Sequence, residues 1–322
     1  MTAVIGLSAV VMAVQDDRTV VLTVREPGQS AGLPFGLFDP DGDRTFELAL
    51  RRFVTAQTRF DLGYVEQLYT FGDLGRDAPL ADTGQKAEDR AARVISVGYL
   101  GLTPQAIDTH ARNSYWSDIL QFFPWEDWRD GCPAAVAALE SPLRLWAGPT
   151  PPRLDRIRLL FALDGSPWNE ERVLERYELL YEAGLVPEAT RDRGETLLTQ
   201  RALPDSILGE AMISDHRRIL ATALGRLRGK LKYRPVIFEM MAPEFTLSAL
   251  QRAVEAVVGM TLHKQNFRRA LERTDLVEGL GRRDQDTGGR PAELFRFRRE
   301  VLGTRPVSGL SLPLLRDEAS ET

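Results

Sequence analysis

Apolar and polar positions follow two periods along this chain, and the clearest helical one lies near its C-terminal end. Leu247, Leu250, Val254, Val257 and Val258 recur at helical spacing behind Thr246, a helix-capping residue type. Gly259 stands next, where a left-handed residue ends a helix. After the short turn Met260-Thr261-Leu262, the spacing predicts a second helix from about His263 to Arg273. Its inner face is Phe267, Ala270 and Leu271; its outer face carries Lys264, Gln265, Asn266, Arg268, Arg269 and Arg273. Two β-like runs follow, Leu276–Leu280 and Glu293–Arg298, joined by a polar stretch that holds Gly288-Gly289-Arg290-Pro291-Ala292. At the other end, the apolar run Thr2–Val14 predicts a strand paired with Val20–Arg25 across a turn at Gln15-Asp16-Asp17-Arg18.

Helix, turn, basic helix and hairpin is the order of a winged helix-turn-helix, whose second helix enters a DNA major groove. Lys264, Gln265 and Asn266, at the start of that helix, are candidates for base readout, and Arg268, Arg269 and Arg273 for DNA contact. Arg290 on the wing is expected at phosphate or in the minor groove. The competing reading is a helical subdomain with a solvated basic face. The order of elements, and Gln265, Asn266 and Arg268 beside the turn, argue against it.

Before this module the pattern is mixed. A proline-rich break, Gly148-Pro149-Thr150-Pro151-Pro152, opens a mostly helical stretch. One helix there is predicted with Ser166 as cap, Pro167 at its first position, and Glu170 and Glu171 in its first turn. Val173, Tyr177, Leu180 and Tyr181 line one face and Gly184 ends it. A long basic helix is expected over residues 210–232. The chain thus divides into a strand-rich domain at 1–148, a helical insert at 149–208, a basic linker helix at 209–234, the DNA-reading module at 235–302, and a flexible tail at 303–322.

The 322 residues are 43% hydrophobic and 27% charged, as in soluble globular proteins, and suffice for two or three domains. The apolar opening has no Lys or Arg before it, against a signal peptide, and no run is long enough to span a membrane. A lone Cys132 rules out an intrachain disulfide, fits a reducing cytoplasm, and is expected to be a buried or inert thiol. The net charge of −5 looks wrong for DNA binding, but the distribution is local. From Asp215 to Arg234 seven basic residues face one acid, a net +6, and from His263 to Arg273 four face one, a net +3. Both stretches are expected to attract phosphate.

The N-terminal order of strand, strand, loop (32–40), helix (about Arg44 to Gln57) resembles a Nudix domain. The motif of that family ends Arg-Glu-apolar-any-Glu-Glu-any-Gly-apolar, and its glutamates hold catalytic magnesium. Aligned on Thr58-Arg59-Phe60, the motif arginine falls on Arg52, the glutamates on Phe53, Ala56 and Gln57, the final glycine on Arg59, and an upstream glutamate on Arg44. Starting from Arg51 instead gives Arg52, Thr55 and Ala56. No acidic residue lies between Glu47 and Asp61, and Mg²⁺ requires hard carboxylate oxygens. The expectation is a binding domain with no catalytic residues and no metal.

Val65 to Asp77 resembles a loop of ADP-ribose-binding Nudix proteins, and Val94–Leu100 the strand that follows it. Phe71, Gly72, Gly75 and Arg76 are the effector-binding candidates in this loop, because glycine backbone permits close approach and arginine pairs with phosphate. Arg25, Arg51 and Arg52 are further candidates.

A Nudix-like domain joined to a winged helix resembles the NrtR-like regulators of NAD metabolism. Asp215–Leu220, Leu227–Tyr233, Phe245-Thr246-Leu247, Asn266–Arg269 and Gly289–Ala292 are similar to segments of that family. The lost glutamates and the helical insert look most like its NadQ-type branch. The resemblance implies an α+β protein, with a Nudix-like α/β/α sandwich bearing a helical insert and a C-terminal winged helix-turn-helix. It also implies a cytoplasmic, homodimeric repressor of NAD-synthesis genes on a palindromic DNA operator, with NAD, ADP-ribose or ATP as its nucleotide effector. Two other classes remain: an active nucleotide pyrophosphatase with an accessory domain, and a winged-helix adaptor that binds protein.

Overall fold

In the computed structural model the described residues are 3–73, 76, 93–104, 111, 113–193, 203–284 and 291–303. The expected tail beyond residue 303 lies outside them. The N-terminal sheet has strands β1 (Ala3–Gln15), β2 (Arg18–Val24), β3 (Phe35–Leu37), β4 (Tyr64–Phe71), β5 (Arg93–Leu102) and β6 (Ser114–Asp118). Their order is β4-β5-β1-β2-β6, with β3 also paired to β1. The expected hairpin is present: β1 and β2 pair antiparallel from Met12↔Val21 to Gln15↔Arg18. Asp16 and Asp17 both take positive φ, as a two-residue turn matched to strand twist requires. β1 also runs parallel to β5, from Ala3↔Arg93 to Met12↔Leu102.

Alternation along the buried central strand sets the layers. Leu7, Ala9 and Val11 join Val97 and Tyr99 on one face, under Leu50, Phe53 and Val54 of helix α1 (Phe46–Thr58). Val10 and Met12 join Leu100 and Leu102 on the other, under helix α7 (His216–Leu231). Close approach of α7 requires Gly98: a Cβ there would lie 3.1 Å from Ile219 and 3.3 Å from Phe71.

Three expectations change here. The segment read as a linker, 209–234, is largely α7, the second helical layer of the sandwich: Ile219, Leu220, Leu224 and Leu227 are fully buried. The effector-loop segment 65–71 is strand β4, antiparallel to β5. And helix α2 (Ala134–Ala147), in a region read as strands with one helix, begins the helical unit. That unit continues through α3 (Pro151–Leu160), α4 (Val173–Glu182), α5 (Pro187–Arg193) and α6 (Asp205–Leu208).

Helix α4 starts well after Ser166-Pro167, despite their cap-like sequence. The Asn169 side chain accepts from the Glu171 amide, and buried Arg176 takes the carbonyls of Leu160 and Asn169, which fixes a turn where a helix would run. Cys132 is exposed rather than buried, and partial burial with nearby Glu140 raises its thiol pKa, against nucleophilic use.

The C-terminal module has β7 (Glu244–Thr246), α8 (Leu247–Val258), α9 (Lys264–Thr274), β8 (Val277–Asp284) and β9 (Ala292–Phe297). Its sheet order is β7-β9-β8. Strand β7, not anticipated from sequence, pairs Phe245 with Phe295. The module shares one buried core with the sandwich: Leu250, Val254 and Val257 belong to the same cluster as Leu224 and Leu227.

Candidate nucleic-acid interface and effector site

The helix-turn-helix is built from its sequence signals upward. Thr246 Oγ1 accepts from the Ala249 amide at 3.1 Å and caps α8. Gly259 ends it at φ 72°, in the left-handed region. A Cβ at Gly259 would meet the Glu126 carbonyl at 2.3 Å, so close approach requires glycine as much as backbone angle does. Side chains of α8 brace the turn: Gln251 Nε2 donates to the Leu262 carbonyl at 2.9 Å, and Glu255 accepts from the Leu262 amide at 2.8 Å.

Helix α9 then packs through Phe267, Ala270 and Leu271, the expected inner face. Lys264, Gln265, Asn266, Arg268, Arg269 and Arg273 are all exposed. Among the described residues, none of these four cations has an ion-pair partner. Behind them, β8 and β9 form the wing ladder, with Val277 opposite Phe297 and Arg283 opposite Glu293. Phe297 stacks on Phe238 at 4.2 Å and anchors the wing base. Gly288, Gly289 and Arg290 lie outside the described residues.

The other basic stretch is different, and the expectation that it attracts phosphate is corrected. Arg217 is buried on the Phe122 carbonyl, at 3.0 Å from Nε, and on Glu188 at 3.3 Å. Arg218 pairs with Glu178, Asp215 and Asp73, Lys230 with Glu66, and Lys232 with Glu170 and Glu171. Arg228 is buried on Glu126. Most of the charge on α7 is thus spent inside the molecule; Arg226 and Arg234 are exposed.

The Glu126 carboxylate is the meeting point of the parts. Arg176 of α4 reaches it at 2.5 and 2.9 Å, and Arg228 of α7 at 2.5 Å. All three side chains are at most 1% exposed. Arg228 Nε also donates to the Val257 carbonyl in the last turn of α8, at 2.8 Å. The Trp128 amide donates to the Gly259 carbonyl at 2.7 Å. One buried carboxylate therefore joins the loop after β6, the insert, the sandwich and the helix-turn-helix.

On the sandwich, α1 carries one carboxylate, Glu47, which is held by Arg51 at 2.9 Å. Where a Nudix motif places glutamates, Phe53 is buried against Gly36 of β3, and Gln57 brackets Phe35 by donating to its carbonyl at 2.5 Å and accepting from its amide at 3.2 Å. Arg51 also donates to the carbonyls of Leu62 and Gly63, and Arg52 pairs with Asp43. Arg25 pairs with Glu210 at 2.8 Å. These arginines are not brought together with Arg76.

Arg76 lies at the insert. Its guanidinium forks onto Glu178 at 2.7 and 2.8 Å and stacks on Tyr181 at 3.7 Å. Phe71 is buried beneath Arg218, and a Cβ at Gly72 would meet Ile95 at 3.9 Å. Gly75 lies outside the described residues. Arg218 joins Arg76 on Glu178, a juxtaposition the sequence reading missed, because only its place on α7 brings it there.

A Nudix-type α/β/α sandwich with a helical insert and a winged helix defines the class of this protein. Residues 237–297 match the family of the NrtR DNA-binding winged helix domain. An ADPR-responsive transcriptional repressor, NtrR of Acinetobacter baylyi, is 39% identical over 83 residues, 26% of this chain. That match spans 33% of the relative's length. The fold is similar to that of Shewanella oneidensis NrtR, solved with a 27mer DNA: TM-score 0.55, 19% identity, covering 95% of this chain and 97% of that one. A MutT/nudix family protein from Enterococcus faecalis has TM-score 0.51 at 15% identity, over 92% and 87% of the two chains. No described helix is long and apolar enough to cross a membrane.

Proposed function

We propose that this chain is a DNA-binding transcriptional repressor of NAD-synthesis genes, controlled by a nucleotide bound to its Nudix-like domain. One observation carries the reading. Among the described residues, Lys264, Arg268, Arg269 and Arg273 of α9 all point outward without ion-pair partners, whereas most cations of α7 are paired, and α9 lies within the segment that matches the NrtR winged helix domain. Lys264, Gln265 and Asn266 would read bases, Arg268, Arg269 and Arg273 would hold DNA, and Arg290 would reach phosphate or the minor groove. A homodimer on a palindromic operator in the cytoplasm follows from this class of reader.

The effector is an adenine nucleotide, and the ADPR-responsive relative supports ADP-ribose over NAD or ATP. Phe71, Gly72, Gly75 and Arg76 would form its site; Arg25, Arg51 and Arg52, paired elsewhere, would not. Phe53, Ala56 and Gln57 in the glutamate positions support a domain that binds without hydrolysis. A gel shift on the promoters of the cell's own NAD-synthesis genes, with and without ADP-ribose, NAD and ATP, tests the proposal. A specific shift that one nucleotide changes is the expected result. Arg76→Ala should weaken that nucleotide's binding and spare ligand-free DNA binding. No shift on any of these promoters would defeat it.

A further inference from the structure

Arg76 and Arg218 approach the same Glu178 oxygen, each at 2.7 Å, and Arg76 grips the second oxygen at 2.8 Å. A bidentate guanidinium fork on two oxygens is also how arginine takes a phosphate. Both partners of Arg76 come from one helix of the insert, since Glu178 and Tyr181 stand one turn apart on α4. The cluster lies at the end of β4, which closes one residue before Gly72. We propose that Arg76 and Arg218 form an anion site for a phosphate of the effector, and that Glu178 occupies this site in the ligand-free protein as a built-in competitor. The proposal rests on the nucleotide-effector reading above.

Charge supports the exchange. Arg76 and Arg218 here face three carboxylates: Glu178, Asp73 and Asp215. A pyrophosphate diester carries about one negative charge per phosphate, so its phosphate can replace Glu178 without adding charge. A free carboxylate added to this cluster would not be tolerated, and burial already raises the Asp215 carboxyl to about 6. Glu178 has somewhere to go. It lines an open cavity of about 340 Å³ with Leu159, Leu174, Arg156 and Arg172. Arg156 already pairs with Glu182 and Glu175 lines the same cavity, so Arg172 is the cation that would take the displaced carboxylate. Ligand entry would then release α4 from its carboxylate fork on Arg76, so the insert would report occupancy of the sandwich.

Calorimetry on full-length Glu178→Gln, with inorganic pyrophosphate and with ADP-ribose, tests this. Removing the competing charge should tighten both by about tenfold, the weight of one charge-assisted hydrogen bond. Arg218→Ala in the same background should abolish the gain. Equal or weaker binding in Glu178→Gln, or no binding of either probe to either protein, overturns the proposal. Hydrogen exchange on the wild type is a second reading, independent of how the variant folds. Saturating ADP-ribose should speed exchange across residues 173–182, and added protection there overturns the proposal. The two readings fail separately. Wild-type operator binding that responds to ADP-ribose, with unchanged affinity in Glu178→Gln, sinks only the competitor. Tightened pyrophosphate binding without any nucleotide effect on an operator sinks only the repressor reading.

Discussion

Replacing Glu126 by Gln is the sharpest perturbation of this fold. The carboxylate accepts three hydrogen bonds from two fully buried guanidiniums, at 2.5, 2.9 and 2.5 Å. Gln keeps the shape, but it retains one oxygen and turns an NH₂ donor toward a guanidinium donor. Burial already holds Arg228 below the ordinary guanidinium range, opposed chiefly by Glu126. Breaking a buried pair by removing one partner costs about 3–5 kcal/mol, because the other charge stays buried uncompensated. Here two charges are left, so the upper part of that range is expected, a large share of a total stability of about 5–15 kcal/mol.

Urea unfolding followed by tryptophan fluorescence measures it, since Trp125 and Trp128 flank the site and Trp168 lies 3.8 Å from the Arg176 guanidinium. The companion variant Glu126→Leu/Arg176→Met/Arg228→Met removes all three charges but also the donors to the Leu160, Asn169 and Val257 carbonyls, so it should recover part of the loss. A loss below about 1 kcal/mol in Glu126→Gln, or a triple variant no more stable than the single one, would refute the reasoning.

Three further outcomes are expected. Alanine at both Arg268 and Arg269 should weaken operator binding by about 1–3 kcal/mol for each arginine that reads a guanine, and flatten the salt dependence; an unchanged gel-shift titration would move the interface elsewhere. Purified protein with Mg²⁺ or Mn²⁺ should release no product from ADP-ribose or NAD above background, and turnover abolished by Glu47→Gln would mean that metal ligands come from other segments. The pH response depends on two neighbours. Burial lowers His216 from 6.5 to about 3, so below pH 6.5 the unfolded chain gains a proton that the folded one declines, and stability falls with pH. Asp215, raised from 3.8 to about 6, stabilises at low pH and loses that contribution as pH rises through 6. The two nearly cancel between about pH 6 and 4. Asp215→Asn should therefore uncover a loss of about 1.4 kcal/mol per pH unit as urea midpoints are followed down from pH 6; a flat profile in that variant would contradict it.

What was legible in the sequence is what local chemistry decides. Thr246 caps α8 and Gly259 ends it because those signals act within a few residues of where they stand. Asp16 and Asp17 make the hairpin turn for the same reason. The outer face of α9 was legible because, among the described residues, no tertiary ion-pair partner reassigns its cations. The misreadings are all long-range. Charge counting marked 215–234 as a phosphate attractor, but Glu126, Glu188, Glu66 and Glu178 neutralise it from distant segments. Ser166-Pro167 has the local form of a helix start, yet Arg176 captures the backbone there. Arg76 was singled out by its glycine-rich setting, but its partner Glu178, 102 positions further along the chain, left no local signal.

The same geometry explains how an effector could reach DNA without a flexible linker. Helix α7 carries Arg218 near its first turn and Arg228 near its last, 10 residues later. At about 1.5 Å per residue, roughly 15 Å separate the candidate anion site from the contact with α8. Arg218 meets Glu178 of α4 at one end, and Arg228 meets Glu126 and Val257 at the other. Helix α4 closes the circuit, because Arg176 on its opposite side holds the same Glu126. A close-packed core transmits small displacements rather than absorbing them. On the proposed reading, freeing Glu178 would change the load on α4 and α7 together, and both bear on the one carboxylate that seats the helix-turn-helix. The angle of α9 to the sandwich, and with it the spacing of two such helices across a dimer, is then the quantity the nucleotide would set.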